Sequence, residues 1–395
     1  MKNKIIIICC VFGFVLQGIK AQYPLDSVLR QIEANSTTLQ ALRQQAEAQK
    51  LENKTGIYLA NPEFDFAYMW GRPTSEGNRY NINAVQSFDF PTAYAYRSRV
   101  AGGSNLIADY GYESSRKDLL LQTGALCVEL IYRNSLKEEL DLRLQHAERM
   151  SRTYQELFTM GNIDILERNK SQLNLLNARK AAEANEIERT ALLSELQRLN
   201  GGKEIPSAII YPEYLLPQDF EEWYEQAQEN NPNLKSIAKE IEVSKNRIKL
   251  SRALSLPKFS AGYTNETVAD VTMQGFTVGV SIPLWENKNT IKQAKVQTEA
   301  WKNIETDTRL QFYNSLKTQY NKAYSLQSML VDYRDVLQSS NSAELMVKSL
   351  ELGKISLTDY IVELSIYYEA KDNILQAERD YWLAVLELRQ WDSGR

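Results

Sequence analysis

At 395 residues, with 43% hydrophobic and 24% charged side chains, the chain is long enough for two domains or for one duplicated domain. Its 46 Lys and Arg are scattered among 50 Asp and Glu, giving a formal net charge of -4. That balance excludes the basic footprint of a nucleic-acid-binding protein.

The first 21 residues differ from the rest. Met1 to Lys4 is a basic start, Ile5 to Val15 is an apolar run, and Ile19-Lys-Ala21 is a cleavage site before Gln22. This predicts a secretory signal peptide over residues 1–21 and not a membrane span, for which the run is too short. Cys9 and Cys10 leave with it, so the mature chain keeps only Cys127 and no internal disulfide. No later segment approaches 18 apolar residues, so no transmembrane helix is expected.

From residue 24 the chain reads as a short helix to about 34 and a longer one to about 60. Then come two stretches of alternating polarity within 62–91. Phe64, Phe66, Tyr68 and Trp70 alternate with Glu63, Asp65, Ala67 and Met69, and Tyr80, Ile82, Ala84, Phe88 and Phe90 alternate with Asn81, Asn83, Ser87 and Asp89. Period two over such lengths predicts a β-hairpin. No proline occurs in 92–205, and proline costs roughly 3 kcal/mol inside a helix. Amphipathic helices are therefore predicted over 92–160 and 163–199, the first spanning about 100 Å.

After a segment at 201–218 the layout recurs. Helices are expected near 219–230 and 232–255, a hairpin over 257–284, and proline-free helices over 285–352 and 355–390. In the second hairpin Phe259, Ala261 and Tyr263 alternate with polar residues, then Phe276, Val278, Val280, Ile282 and Leu284 do the same; Asn265 to Asp270 reads as the loop. Tyr68 matches Tyr263 at an offset of 195, while Pro91 matches Pro283 and Gly161 matches Gly353 at 192. The mature chain is thus read as two repeats, 22–200 and 219–395, whose three-residue discrepancy falls in a hairpin loop.

Four strands per chain cannot close a barrel. An ordinary small sheet with one buried face would show the same alternation. The aromatic character and the strand lengths instead suit tilted transmembrane strands, for which chains must pool their strands.

This layout resembles the TolC-like outer membrane efflux protein family along essentially the whole mature chain. The family's pattern of aromatic or Leu, Gly three positions on, Asp six further and Ala or Ser four beyond appears as Phe158, Gly161, Glu167 and Ser171 and again as Leu350, Gly353, Asp359 and Glu363, with Glu167 in place of the Asp and Glu363 in place of the Ala or Ser. Its Ala-x-x-x-Asn-Pro-x-Leu element appears as Ala227, Asn231, Pro232 and Leu234, with a degenerate partner from Ala34 to Leu39. The resemblance implies a mostly α protein with a small β part: a long antiparallel α-helical barrel in the periplasm, and a homotrimer whose chains complete a 12-stranded transmembrane β-barrel in the outer membrane of a Gram-negative cell.

Further implications follow from the resemblance. Phe64, Phe66, Tyr68, Trp70, Phe88, Phe259, Tyr263, Phe276, Val278 and Val280 are expected to face outer membrane lipid. Met160, Gly161 and Asn162, with Leu352, Gly353 and Lys354, would form tips that dock a periplasmic adaptor protein linked to an inner-membrane pump, of the resistance-nodulation-division type. Asp359 and Glu363 would constrict the periplasmic entrance. Where some members carry a second aspartate this chain has Val362, so the ring departs from that pattern. The function implied is a passive exit duct for small molecules, drugs or metal ions; the alternative is a duct for type I protein secretion.

No catalytic, cofactor-binding or metal-ligating pattern is found. The lone histidine, His146, reads as a surface residue in mid-helix. A non-transporting envelope scaffold is disfavoured by the paired aromatic hairpins, and a lysin-like enzyme by the missing catalytic residues.

Overall fold

A computed structural model describes residues 23–73, 77–339 and 342–392; the expected signal peptide lies outside them. In chain order the elements are β1 (Tyr23–Pro24), α1 (Leu25–Asn35), α2 (Thr37–Asn53), β2 (Glu63–Trp70), β3 (Asn78–Phe88), α3 (Pro91–Thr159), α4 (Ile165–Leu199) and β4 (Ile209–Ile210). They continue with α5 (Phe220–Glu229), α6 (Pro232–Leu254), β5 (Lys258–Val268), β6 (Val271–Ser281), α7 (Thr290–Ser339), α8 (Ser342–Glu351) and α9 (Leu357–Arg389). The helices follow from their caps and the placement of proline. Asn231, for example, accepts from the Asn233 and Leu234 amides at 2.9 and 3.3 Å while Pro232 opens α6.

Two compact units form, and each draws on both halves of the sequence. One takes residues to Asn35, Leu126–Glu213 and Ser342–Gln376. It holds α1, whose Leu25, Val28 and Ile32 are buried at helical spacing, and a short parallel pairing of β1 with β4 that alternation in the sequence did not reveal. Buried Asn200 organises the turn after α4: Asn35 donates to it at 3.0 Å and it donates to the Lys203 carbonyl at 2.9 Å. The other unit takes Ser36–Ala125, Tyr214–Asn341 and the chain from Ala377. It holds an antiparallel sheet of order β2-β3-β5-β6 and a cluster in which Phe220 packs on Tyr224, Tyr313 and Tyr320.

Several boundaries differ from the sequence reading. The helix expected to reach about 60 stops at Asn53, because Gly56 takes a φ of +71° and Asn61 precedes a proline. The helix expected from 285 starts at Thr290: Asn289 is left-handed at φ +69°, and the Asn287 side-chain amide donates to the Leu254 carbonyl at 2.6 Å. The loop expected over 265–270 shrinks to Ala269 and Asp270. Polar Asn265, Glu266 and Thr267 stay in the ladder, with Arg79 and Glu266 paired at 2.6 Å and the Thr267 and Thr272 hydroxyls 3.0 Å apart.

Gly201 combines a φ of +66° with a backbone so close that an added Cβ would lie 2.6 Å from the Asn35 carbonyl oxygen. Gly201→Ala is expected to lower stability by about 2 kcal/mol, read from urea unfolding followed by circular dichroism. A loss below about 0.5 kcal/mol contradicts this packing.

Candidate functional site

The sheet register decides what each strand face carries. Phe64 pairs with Ala84, Phe66 with Ile82 and Tyr68 with Tyr80. Ala84 pairs with Tyr263 and Phe88 with Phe259, then Tyr263 with Phe276, Ala261 with Val278 and Phe259 with Val280. Cross-strand partners share a face and alternate residues return to it. All ten residues expected to meet lipid therefore lie on one face. Phe64, Trp70, Phe276 and Val278 are 73% or more exposed, an apolar surface far beyond a scattering of single side chains. Tyr263 packs edge-on against Phe276 at 6.1 Å and donates its hydroxyl to Gln274 at 2.6 Å.

The opposite face is polar and close-set. Thr264 donates to Asn83 at 2.6 Å, and Gly262 is hemmed in so tightly that a Cβ would sit 2.7 Å from the Ala84 carbonyl oxygen. β2 and β6 are the outer strands, so each has one edge without a partner in this sheet.

The two glycine turns share one construction. After α3 the Asn162 amide donates to the Leu157 carbonyl at 2.9 Å and Gly161 to Phe158 at 3.0 Å; after α8 Lys354 donates to Ser349 at 2.8 Å and Gly353 to Leu350 at 2.9 Å. This double closure needs a left-handed residue, supplied by Gly161 at φ +75° and Gly353 at φ +66°. A Cβ on either glycine would meet nothing within 4 Å, and Met160 and Leu352 are 70% and 61% exposed. Both turns leave their backbone open to approach. Beneath them Met150, Tyr154, Leu357, Tyr360 and Leu364 form a buried cluster against which Ile163 and Ile355 pack.

Asp359 and Glu363 are exposed one turn apart on α9. Asp359 also secures the start of its own helix. Its amide donates to the Ser356 hydroxyl at 3.1 Å, while its carboxylate accepts from that hydroxyl at 2.7 Å. This is a reciprocal helix cap. The helix after the first glycine turn starts differently, since Asp164 caps α4 by accepting from the Glu167 amide at 2.9 Å.

His146 is half-buried rather than on the surface, with Nδ1 3.2 Å from the Tyr368 hydroxyl. Beside it Arg143 reaches Asp372 through two hydrogen bonds of 2.7 and 3.0 Å and lies 4.4 Å from the centre of the Tyr368 ring. Lys371 pairs with Glu139 at 3.3 Å. This bridge between α3 and α9 went unread, although Glu139, Arg143 and His146 form a stripe complementary to Tyr368, Lys371 and Asp372. Burial, then the Arg149 guanidinium, holds the His146 imidazole below its ordinary pKa.

A helical chain carrying one four-stranded sheet with an apolar and a polar face has the fold of the bacterial outer membrane channels. The crystal structure of the Campylobacter jejuni CmeC outer membrane channel superposes with a TM-score of 0.77 at 14% identity, covering 93% of this chain and 85% of that one. The open-state Neisseria gonorrhoeae MtrE outer membrane channel gives 0.70 at 13%, covering 93% and 88%. Residues 223–393 match the family model described as outer membrane efflux protein. The alkaline protease secretion protein AprF of Pseudomonas aeruginosa is 24% identical over 328 residues, 76% of this chain, and the match spans 66% of that protein's length. Residues 223–393 are thus similar to the outer membrane efflux proteins, the fold is that of the outer membrane channels, and the protein resides in the outer membrane.

As pH falls below about 6.5, the ordinary imidazole value, the unfolded chain takes up a proton that folded His146 resists. Stability is expected to fall toward pH 5 for that reason. His146→Gln is expected to flatten the decline, seen in urea midpoints across pH. Parallel curves for the two proteins contradict it.

Proposed function

We propose that the chain forms a passive exit duct through the outer membrane for small molecules, drugs or metal ions, and performs no chemistry on its cargo. One observation carries the reading: ten aromatic or aliphatic residues share one face of a sheet whose outer strands each have one unpaired edge. In lipid every backbone polar group needs a partner and only closed barrels escape edges. Three copies, each joining its β6 to the β2 of the next, satisfy both demands with twelve strands, a size known for transmembrane barrels. The ten residues then meet lipid, and the polar face lines the lumen.

The exposed glycine turns at Gly161 and Gly353 are the docking tips for hairpins of a periplasmic adaptor, because an open backbone with no Cβ accepts close approach. Energy comes from an inner-membrane pump, of the resistance-nodulation-division type. A second reading, a duct for type I protein secretion, is favoured by the likeness to AprF. Asp359 and Glu363 ring the entrance and make it cation-preferring.

Purified protein in a planar bilayer is expected to give discrete conductance steps. Asp359→Asn removes the charge but keeps a hydrogen-bond acceptor for Ser356. It is expected to raise single-channel conductance and weaken block by multivalent cations. No steps at all would sink the duct, and an unchanged conductance would remove Asp359 from the entrance.

A further inference from the structure

The charge next to the sheet departs from that of the chain as a whole. Four segments join the sheet to its helices: residues 50–60, 89–103, 243–258 and 284–296. Together they hold twelve Lys or Arg against three Asp or Glu, in a chain of formal net charge -4. Two of the acids are already paired, Asp89 with Arg97 at 2.5 Å and Glu286 with Lys258 at 3.0 Å. Residues 243–258 alone carry five cations and no acid. Of these Lys245, Arg247, Lys249 and Arg252 are exposed, and none has a carboxylate partner among the described residues. Helix stability accounts for Arg252 in the last turn of α6, but not for Lys292 in the first turn of α7, where the macrodipole opposes a cation.

Part of this collar is a formed cleft. α3 and α6 approach closely at Gly103, where a Cβ would lie 2.3 Å from Val243 Cγ2. Beside that contact a cleft of about 460 Å³ is rimmed by Arg99, Lys245 and Lys249. Lys239, also at the cleft, is neutralised by Glu242 at 2.6 Å.

The position of these cations agrees with their charge. Lys249 stands about 8 Å along α6 from its end, and Arg99 about 12 Å along α3 from its start. Where α2 leads into β2 and where β6 leads into α7 stand the exposed aromatic residues Tyr58 and Trp285. Apolar strand face, aromatic band and cations follow the order in which a bilayer presents hydrocarbon, interface and phosphate.

We propose that this basic cleft seats the phosphate headgroups of anionic phospholipids in the periplasmic leaflet and so fixes the depth at which the channel sits. The inference rests on the reading that the sheet crosses the membrane.

The purified full-length chain in detergent is titrated with phosphatidylglycerol or phosphatidylcholine, and retained lipid is counted by native mass spectrometry. Phosphatidylglycerol is expected to be retained at least about tenfold better, since each cation near a lipid surface is worth about fivefold and more than one lines the cleft. The preference should fade in about 0.5 M salt, where screening shortens to a few Å. The triple variant Arg99→Gln, Lys245→Gln, Lys249→Gln should lose it while circular dichroism and bilayer conductance stay unchanged. Equal retention of the two lipids by the unsubstituted protein overturns the proposal, as does a preference that survives the triple substitution. A variant that instead shifts the ion selectivity of the conductance assigns the cations to the lumen and overturns it too. A conducting channel without lipid preference defeats the cleft alone; a protein that never conducts defeats the duct, and the cleft with it.

Discussion

Backbone amides and carbonyls along the outer edges of β2 and β6 have no partner within their own sheet, and in hydrocarbon each such group costs several kcal/mol. No helix among the described residues is long and apolar enough to take over the crossing. The sheet carries a broad apolar face, and with two open edges it cannot meet lipid alone. Much else follows from that constraint. Glycines and hydroxyls crowd the polar face, while bulky rings and branched side chains fill the apolar one. The joining segments turn from apolar to aromatic to basic within a few residues.

At the glycine turns a different constraint operates. Gly161 and Gly353 are fixed by backbone closure, not by crowding: among the described residues nothing lies within 4 Å of a Cβ built on either. The cluster of Met150, Tyr154, Leu357, Tyr360 and Leu364 makes the base beneath them firm, and the Arg143–Asp372 bridge ties α3 to α9 farther along. The turns are not identical beyond the closure, because Asp359 shares its carboxylate with Ser356 while Glu167 lends only its amide to Asp164.

Much of this was legible in the sequence wherever one residue type carries one local consequence. Period-two alternation located the strands, proline placement bounded the helices, and two glycines at matched offsets marked the turns. What escaped notice depends on partners distant in sequence. Asn265 to Val268 read as loop because they are polar, yet the ladder to β3 and β6 holds them extended. The early stop of α2 and the late start of α7 depend on left-handed residues at Gly56 and Asn289, which composition marks only weakly. His146 read as exposed because its partner Tyr368 is 222 residues away.

The central claim, that one sheet face meets lipid and the other meets water, is tested most directly by single cysteines along β6. Cys127 is buried and leaves little background. In outer membrane vesicles, cysteines at Phe276, Val278 and Val280 should resist a charged, membrane-impermeant maleimide and react with a lipid-soluble one, while cysteines at Thr277 and Gly279 should react with the charged reagent. Equal labelling of the two sets by the charged reagent would contradict the account.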